Sequence, residues 1–136
     1  HKTVTKWKGG MLFESDNPSG NKFYMDTVSE NSIKRQGLSP KAMMLSSLAG
    51  CSGVDIVDIL KKMKIKNYDL TITVQGELTD NHPKFYHTVQ VDYYFSGEDV
   101  DNKKCKRAVD LSVQKYCGVM EMFRQFAKVN FNIHFQ

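Results

Sequence analysis

Three cysteines, Cys51, Cys105 and Cys117, are the side chains of this 136-residue sequence best suited to nucleophilic or redox chemistry. Cys51 falls in an apolar run. Helical spacing puts Ser47 four positions before it, and Asp55 and Asp58 four and seven positions after it, on one face. Such a polar stripe in an apolar helix needs polar or cationic partners, because a buried unpaired carboxylate is costly. Two readings of this thiol stay open. It is either a small core hydrophobe or a nucleophile, and a nucleophile here requires a cation from elsewhere in the fold. The neighbouring carboxylates oppose a thiolate, and the helix N-terminus is too distant to help. Cys117 precedes Gly118 at the start of a helical segment, where N-terminal N–H groups favour a thiolate, with plain packing as the alternative. Cys105 sits in Lys103-Lys104-Cys105-Lys106-Arg107, which reads as a solvated helix face with an incidental exposed thiol. His82, His87 and His134 have no ligand spacing with the cysteines, so neither a metal nor another cofactor is expected.

The elements that position these residues follow from periodicity. Thr3 to Lys8, Met11 to Glu14 and Lys22 to Asp26 read as short strands joined by Gly9-Gly10 and by the Ser15 to Gly20 turn, an antiparallel ribbon. Thr27 to Leu38 has neither period and reads as an exposed, mobile loop. Ser39-Pro40 starts a helix through about Met63. Apolar and small residues surround that helix, which predicts burial on several faces. Its belt of Ser46, Ser47, Ala49, Gly50, Ser52 and Gly53 suits close approach of another helix. Leu70 to Gln75 and Thr88 to Phe95 alternate with period two about a His82-Pro83 turn, so each strand has one buried face. Ala108, Val109, Leu111, Ser112 and Tyr116 keep helical spacing, Cys117-Gly118 kinks or restarts the helix, a segment from Val119 to Lys128 follows, and Phe131 to Phe135 closes as a strand. The order gives an α+β fold with antiparallel sheet and two buried helices.

Composition bounds what such a chain does. Hydrophobic residues at 40% and charged residues at 25% are ordinary for a globular protein, and the length suits a single domain over residues 1–136. A formal charge of +4, without aromatic and basic residues interleaved, argues against a nucleic-acid partner. The N-terminal HKTVTKWK lacks the apolar core of a leader, and three cysteines fit a reducing compartment, so a cytoplasmic protein is expected. The longest apolar run, Ala42 to Val54, falls short of the roughly 20 residues that span a bilayer, so no membrane partner is expected.

The stretch Ser39-Pro40-Lys41-Ala42-Met43-Met44-Leu45-Ser46-Ser47-Leu48-Ala49-Gly50-Cys51-Ser52-Gly53-Val54-Asp55, followed by Arg107 to Ser112 and by Lys115-Tyr116-Cys117-Gly118-Val119, resembles the OsmC/Ohr superfamily of osmotically inducible and organic-hydroperoxide-resistance proteins, in its OsmC-like branch. The resemblance implies antiparallel sheets wrapped around long central helices in an intertwined homodimer. It also implies a thiol peroxidase that reduces organic hydroperoxides or hydrogen peroxide in stress defence. In that scheme Cys51 attacks the peroxide and becomes a sulfenic acid, Cys117 condenses with it, and an external dithiol reduces the resulting disulfide. Arg35, in the loop before the helix and offset from the family's usual spacing, is the arginine that would stabilise the thiolate, with Lys34 or Lys41 as the alternative source of charge, and Lys41 stands where the family carries a glutamate. The alternative is a non-enzymatic, stress-associated protein that holds a small apolar molecule in the same dimer cleft, with Met43 and Met44 among its lining.

Overall fold

The computed structural model describes residues 1–28, 34–98 and 100–136. The chain forms two compact units, His1–Met44 and Leu45–Gln136. In the first, strands β1 (Thr5–Trp7), β2 (Phe13–Asp16) and β3 (Lys22–Met25) form an antiparallel sheet in the order β1-β2-β3. The second strand lies two residues later than its sequence pattern suggests, because the reversal extends from Gly9 to Leu12, where the Lys8 N–H donates to the Leu12 carbonyl at 2.9 Å. Much of the expected mobile loop, residues 29–33, lies outside the described residues. Its end is pinned: the Leu38 N–H donates to the Tyr24 carbonyl at 2.8 Å, and the Asp26 N–H to the Leu38 carbonyl at 3.1 Å. Gly37 permits this docking, since a Cβ there would come within 2.7 Å of the Tyr24 backbone.

Helix α1 (Pro40–Lys62) begins at Pro40 as the sequence requires, with the Ser39 carbonyl accepting from the Met43 N–H at 2.9 Å. Its C-terminal turn carries Lys61 and Lys62, the favourable charge for that end. From Leu45 onward it belongs to the second unit, together with β4 (Asp69–Leu78), β5 (Tyr86–Ser96), α2 (Asn102–Leu111), a π-helical segment (Ser112–Tyr116), α3 (Gly118–Arg124) and β6 (Lys128–Phe135). Sheet order is β4-β5-β6. Val89, Val91, Tyr93 and Phe95 alternate inward along β5 and meet Leu48, Ile56 and Leu60 of α1 and Ala108 and Val109 of α2 in one core. Each such aliphatic side chain contributes roughly 1.5–3 kcal/mol by leaving water.

One expectation about this unit needs correction. The antiparallel sheet holds for β4 with β5, but β6 runs parallel to β5, with Thr88 opposite Lys128 and Phe95 opposite Phe135. The helices between β5 and β6 make a crossover that returns the chain to the end where β5 began, which a parallel neighbour requires. The crossover also ends earlier than the spacing suggests: the Ala127 N–H donates to the Phe123 carbonyl at 2.8 Å, and Lys128 is already strand. Within this chain α1 is covered along one side. Its buried residues, Leu48, Ser52, Ile56 and Leu60, form a single stripe, while Val54 is 72% exposed and Val57 48%. Of its small-residue belt, Gly53 lies against a strand rather than a helix, since a Cβ there would sit 3.1 Å from Ile72 Cδ1 of β4.

Candidate functional site

The second unit brings Cys51 and Cys117 together. Cys51 lies midway along α1 and is half-buried; Cys117 is 4% exposed, and the two thiols are near enough for each to feel the other electrostatically. The π-helical segment accounts for where Cys117 sits. The Cys117 N–H donates to the Ser112 carbonyl at 2.9 Å, five residues back, and this wider turn carries the chain out of helical geometry at Cys117. Cys117 is then extended (φ −76°, ψ 104°) and caps α3, its sulfur accepting from the Met120 N–H at 3.3 Å. The expected interruption at Cys117-Gly118 is therefore present, and its mechanism is a π turn followed by a thiol N-cap.

Beside the sulfurs runs a buried chain of hydroxyls. Ser52 Oγ lies 2.7 Å from Tyr93 Oη and 2.9 Å from Ser112 Oγ. The Ser112 hydroxyl is also within 3.2 Å of both the Ser52 carbonyl and Asp55 Oδ2. The polar stripe on α1 thus finds its partners: Asp55 meets Ser112, and Asp58 pairs with Lys62 Nζ at 2.7 Å. Asp55 and Asp58 also line a cavity of about 450 Å³ with Ile59, Met63, Leu111 and Tyr116.

Burial dominates the electrostatics. Desolvation pushes the Cys117 thiol up to about 11; the Met120 N–H works against the shift, and the nearby Cys51 and Asp55 add to it. Cys117 is therefore a protonated thiol at neutral pH, and Cys51 is the more accessible sulfur. Desolvation likewise raises Tyr93 to about 12, with the Ser52 hydrogen bond and the nearby Arg124 guanidinium pulling the other way. Arg124 is held by Glu121 Oε2 at 3.2 Å and donates to the Val113 carbonyl.

Arg35 belongs to the first unit, where its Nε faces Asp26 Oδ1 at 3.9 Å and the neighbouring Gln36 N–H donates to Asp26 Oδ2 at 2.7 Å. Cys105 is not the exposed thiol its basic neighbours suggest. It is fully buried on the inner face of α2 with Ala108 and Val109, while Lys103, Lys104, Lys106 and Arg107 project from the rest of the helix. Burial raises its pKa. Among the described residues, no group of three or more His, Cys, Asp or Glu side chains is placed to hold a metal ion. Sequence reasoning passed over Ser52, Tyr93 and Arg124 as parts of this site. Position alone marked the first two: Ser52 lies on the stripe of Leu48, Ile56 and Leu60, and Tyr93 shares the inward parity of Val89, Val91 and Phe95, so both hydroxyls had to find buried partners.

Residues 31–132 match the family model described as OsmC-like protein. The chain is 30% identical over 124 residues to Protein YhfA of Escherichia coli strain K12, covering 91% of this chain and 90% of the relative. Among solved structures, a hypothetical protein of Aquifex aeolicus VF5 superposes with a TM-score of 0.81 at 28% identity, over 99% of this chain and 96% of that one. The organic hydroperoxide resistance protein OhrB of Bacillus subtilis superposes with a TM-score of 0.62 at 20% identity, over 97% and 96%, and shares the fold.

Proposed function

The chain belongs to the OsmC-like family, and from that premise we propose that it is a cysteine-based thiol peroxidase acting on organic hydroperoxides or hydrogen peroxide. The observation that carries the reading is the proximity of the half-buried Cys51 to the buried Cys117 thiol, close enough for the two to interact electrostatically. Cys51 as thiolate attacks the distal peroxide oxygen: an S–O bond forms, the O–O bond breaks, and the alkoxide leaves and takes a proton as alcohol. Cys117 then attacks the sulfenic sulfur. The S–S bond forms, the S–O bond breaks, and hydroxide leaves with the thiol proton as water. An external dithiol restores both thiols by exchange, and the reducing cytoplasm is the compartment that supplies one.

The pair of environments suits this division of labour. A resolving thiol held protonated by burial does not compete for peroxide, and it already lies near the sulfur that it must attack. The cavity beside Asp55 offers apolar surface from Ile59, Met63 and Leu111 to the organic group of a hydroperoxide. Arg35 is assigned the role of the cation that favours the Cys51 thiolate, with Lys41 in place of the family glutamate leaving that guanidinium to be oriented by Asp26 instead. The protein works as a homodimer: α1 is apolar around more of its circumference than this chain covers, and Val54 and Val57 form a face that a second copy would bury. The alternative of a ligand-binding protein gains no comparable support, since Met44 is exposed and the sulfur pair has no part in it.

The test is steady-state consumption of an organic hydroperoxide in the presence of a dithiol, with Cys51→Ser alongside. The proposal predicts turnover that the substitution abolishes. Turnover that survives in Cys51→Ser, or no turnover in the parent protein, overturns it.

A further inference from the structure

We propose that Ser112 is a positioning residue that holds Cys117 against Cys51 for disulfide formation, a role that rests on the thiol-peroxidase reading above. Both redox positions are tied to this one residue. Its carbonyl accepts the Cys117 N–H at 2.9 Å and so fixes the backbone that carries the second sulfur. Its hydroxyl reaches α1 at three points: Ser52 Oγ at 2.9 Å, the Ser52 carbonyl at 3.2 Å and Asp55 Oδ2 at 3.2 Å. Ser52 directly follows Cys51, and Asp55 lies one helical turn beyond it. Ser112 is fully enclosed, as is Ser52, so the bonds between these two residues do not compete with water.

The two chemical steps depend on this clamp differently. Attack of Cys51 on peroxide involves no movement of Cys117. Condensation makes the sulfur–sulfur bond and expels the sulfenic oxygen as water, so its rate follows the effective concentration of one sulfur at the other. The same quantity sets the equilibrium between the dithiol and the Cys51–Cys117 disulfide. Without the Ser112 hydroxyl, the π segment and α1 lose their shared tether and the sulfurs sample a wider range of separations.

The experiment compares Ser112→Ala with the parent protein in two measurements. In the first, one equivalent of organic hydroperoxide is added and the Cys51 sulfenic acid is trapped with a 1,3-dione at successive times. Condensation is expected to slow at least about tenfold relative to sulfenic acid formation, so that trappable sulfenic acid accumulates. In the second, the protein is equilibrated in glutathione redox buffer without peroxide, and the disulfide is expected to weaken by about tenfold, a potential shift of about 30 mV. Val89→Ala, a core truncation on β5 away from the clamp, serves as the control for general loosening. Ser52→Ala removes the 2.9 Å bridge from the α1 side and is expected to act in the same direction, which keeps the test available should Ser112→Ala not fold. An unchanged disulfide equilibrium in the serine variants, or an equal shift in Val89→Ala, overturns the positioning role. A parent protein that forms no sulfenic acid refutes the peroxidase reading instead, and the glutathione equilibrium still decides whether Ser112 positions the pair.

Discussion

Replacing Ser52 by alanine should cost the fold more than replacing its partner Tyr93 by phenylalanine, although each change deletes one hydroxyl. Ser52 Oγ stands between Tyr93 Oη at 2.7 Å and Ser112 Oγ at 2.9 Å, and all three residues are fully enclosed. In Ser52→Ala the Tyr93 hydroxyl stays buried and loses its partner, a penalty of about 1–3 kcal/mol. In Tyr93→Phe the hydroxyl itself is gone and Ser52 keeps Ser112, so only the net value of one hydrogen bond is lost, about 0.5–1.5 kcal/mol. The double variant strands nothing, because Ser112 retains Asp55 and the Ser52 carbonyl. It should be no less stable than Ser52→Ala alone, with a coupling of about 1 kcal/mol. Thermal unfolding followed by far-UV circular dichroism, in reducing buffer and at one fixed protein concentration, reads these differences at about 4 °C per kcal/mol for a chain of this size. Additive losses, or a Ser52→Ala variant no less stable than Tyr93→Phe, would refute the account of the hydroxyl chain.

Two further outcomes follow from the same geometry. The Cys117 thiol is raised from an ordinary value of 9.0 to about 11, so the folded state keeps a proton that the unfolded chain releases. Stability should therefore fall as pH rises from about 9 to about 11, and chemical denaturation should show Cys117→Ser with a flatter profile across that window. Placing a charge on the uncovered face of α1 with Val54→Asp should leave the secondary structure intact and increase the monomer fraction in sedimentation velocity; an unchanged distribution would exclude that face as the contact between copies.

Much of this arrangement is legible in the residues because local rules dominate where it lies. Ser39-Pro40 starts α1 as expected, and the alternation of Val89, Val91, Tyr93 and Phe95 gives the buried face of β5 directly. The break at Cys117-Gly118 is legible too, as glycine and a polar helix start coincide there. What local pattern does not carry is direction and depth. Nothing in Lys128 to Phe135 tells a parallel from an antiparallel neighbour, since alternation is the same in both and the length of the crossover decides. Cys105 looks exposed because four basic residues flank it in sequence, yet a helix separates those neighbours from it by 100° steps and turns the thiol inward with Ala108 and Val109. The hydroxyl chain was out of reach for a different reason: Ser52, Tyr93 and Ser112 come from three elements, and only the tertiary packing of α1 on β5 and the π segment makes them neighbours.

The central claim is that Cys51 and Cys117 form one redox unit, and its most direct test is to map the thiols after oxidation. The fully reduced protein is mixed with one equivalent of an organic hydroperoxide and digested after alkylation, and the peptides are identified by mass spectrometry. The account predicts a single intramolecular disulfide joining Cys51 to Cys117, with Cys105 recovered as a free thiol. Peroxide that disappears no faster than in buffer while all three cysteines remain alkylatable, or a disulfide that engages Cys105 instead, would contradict it.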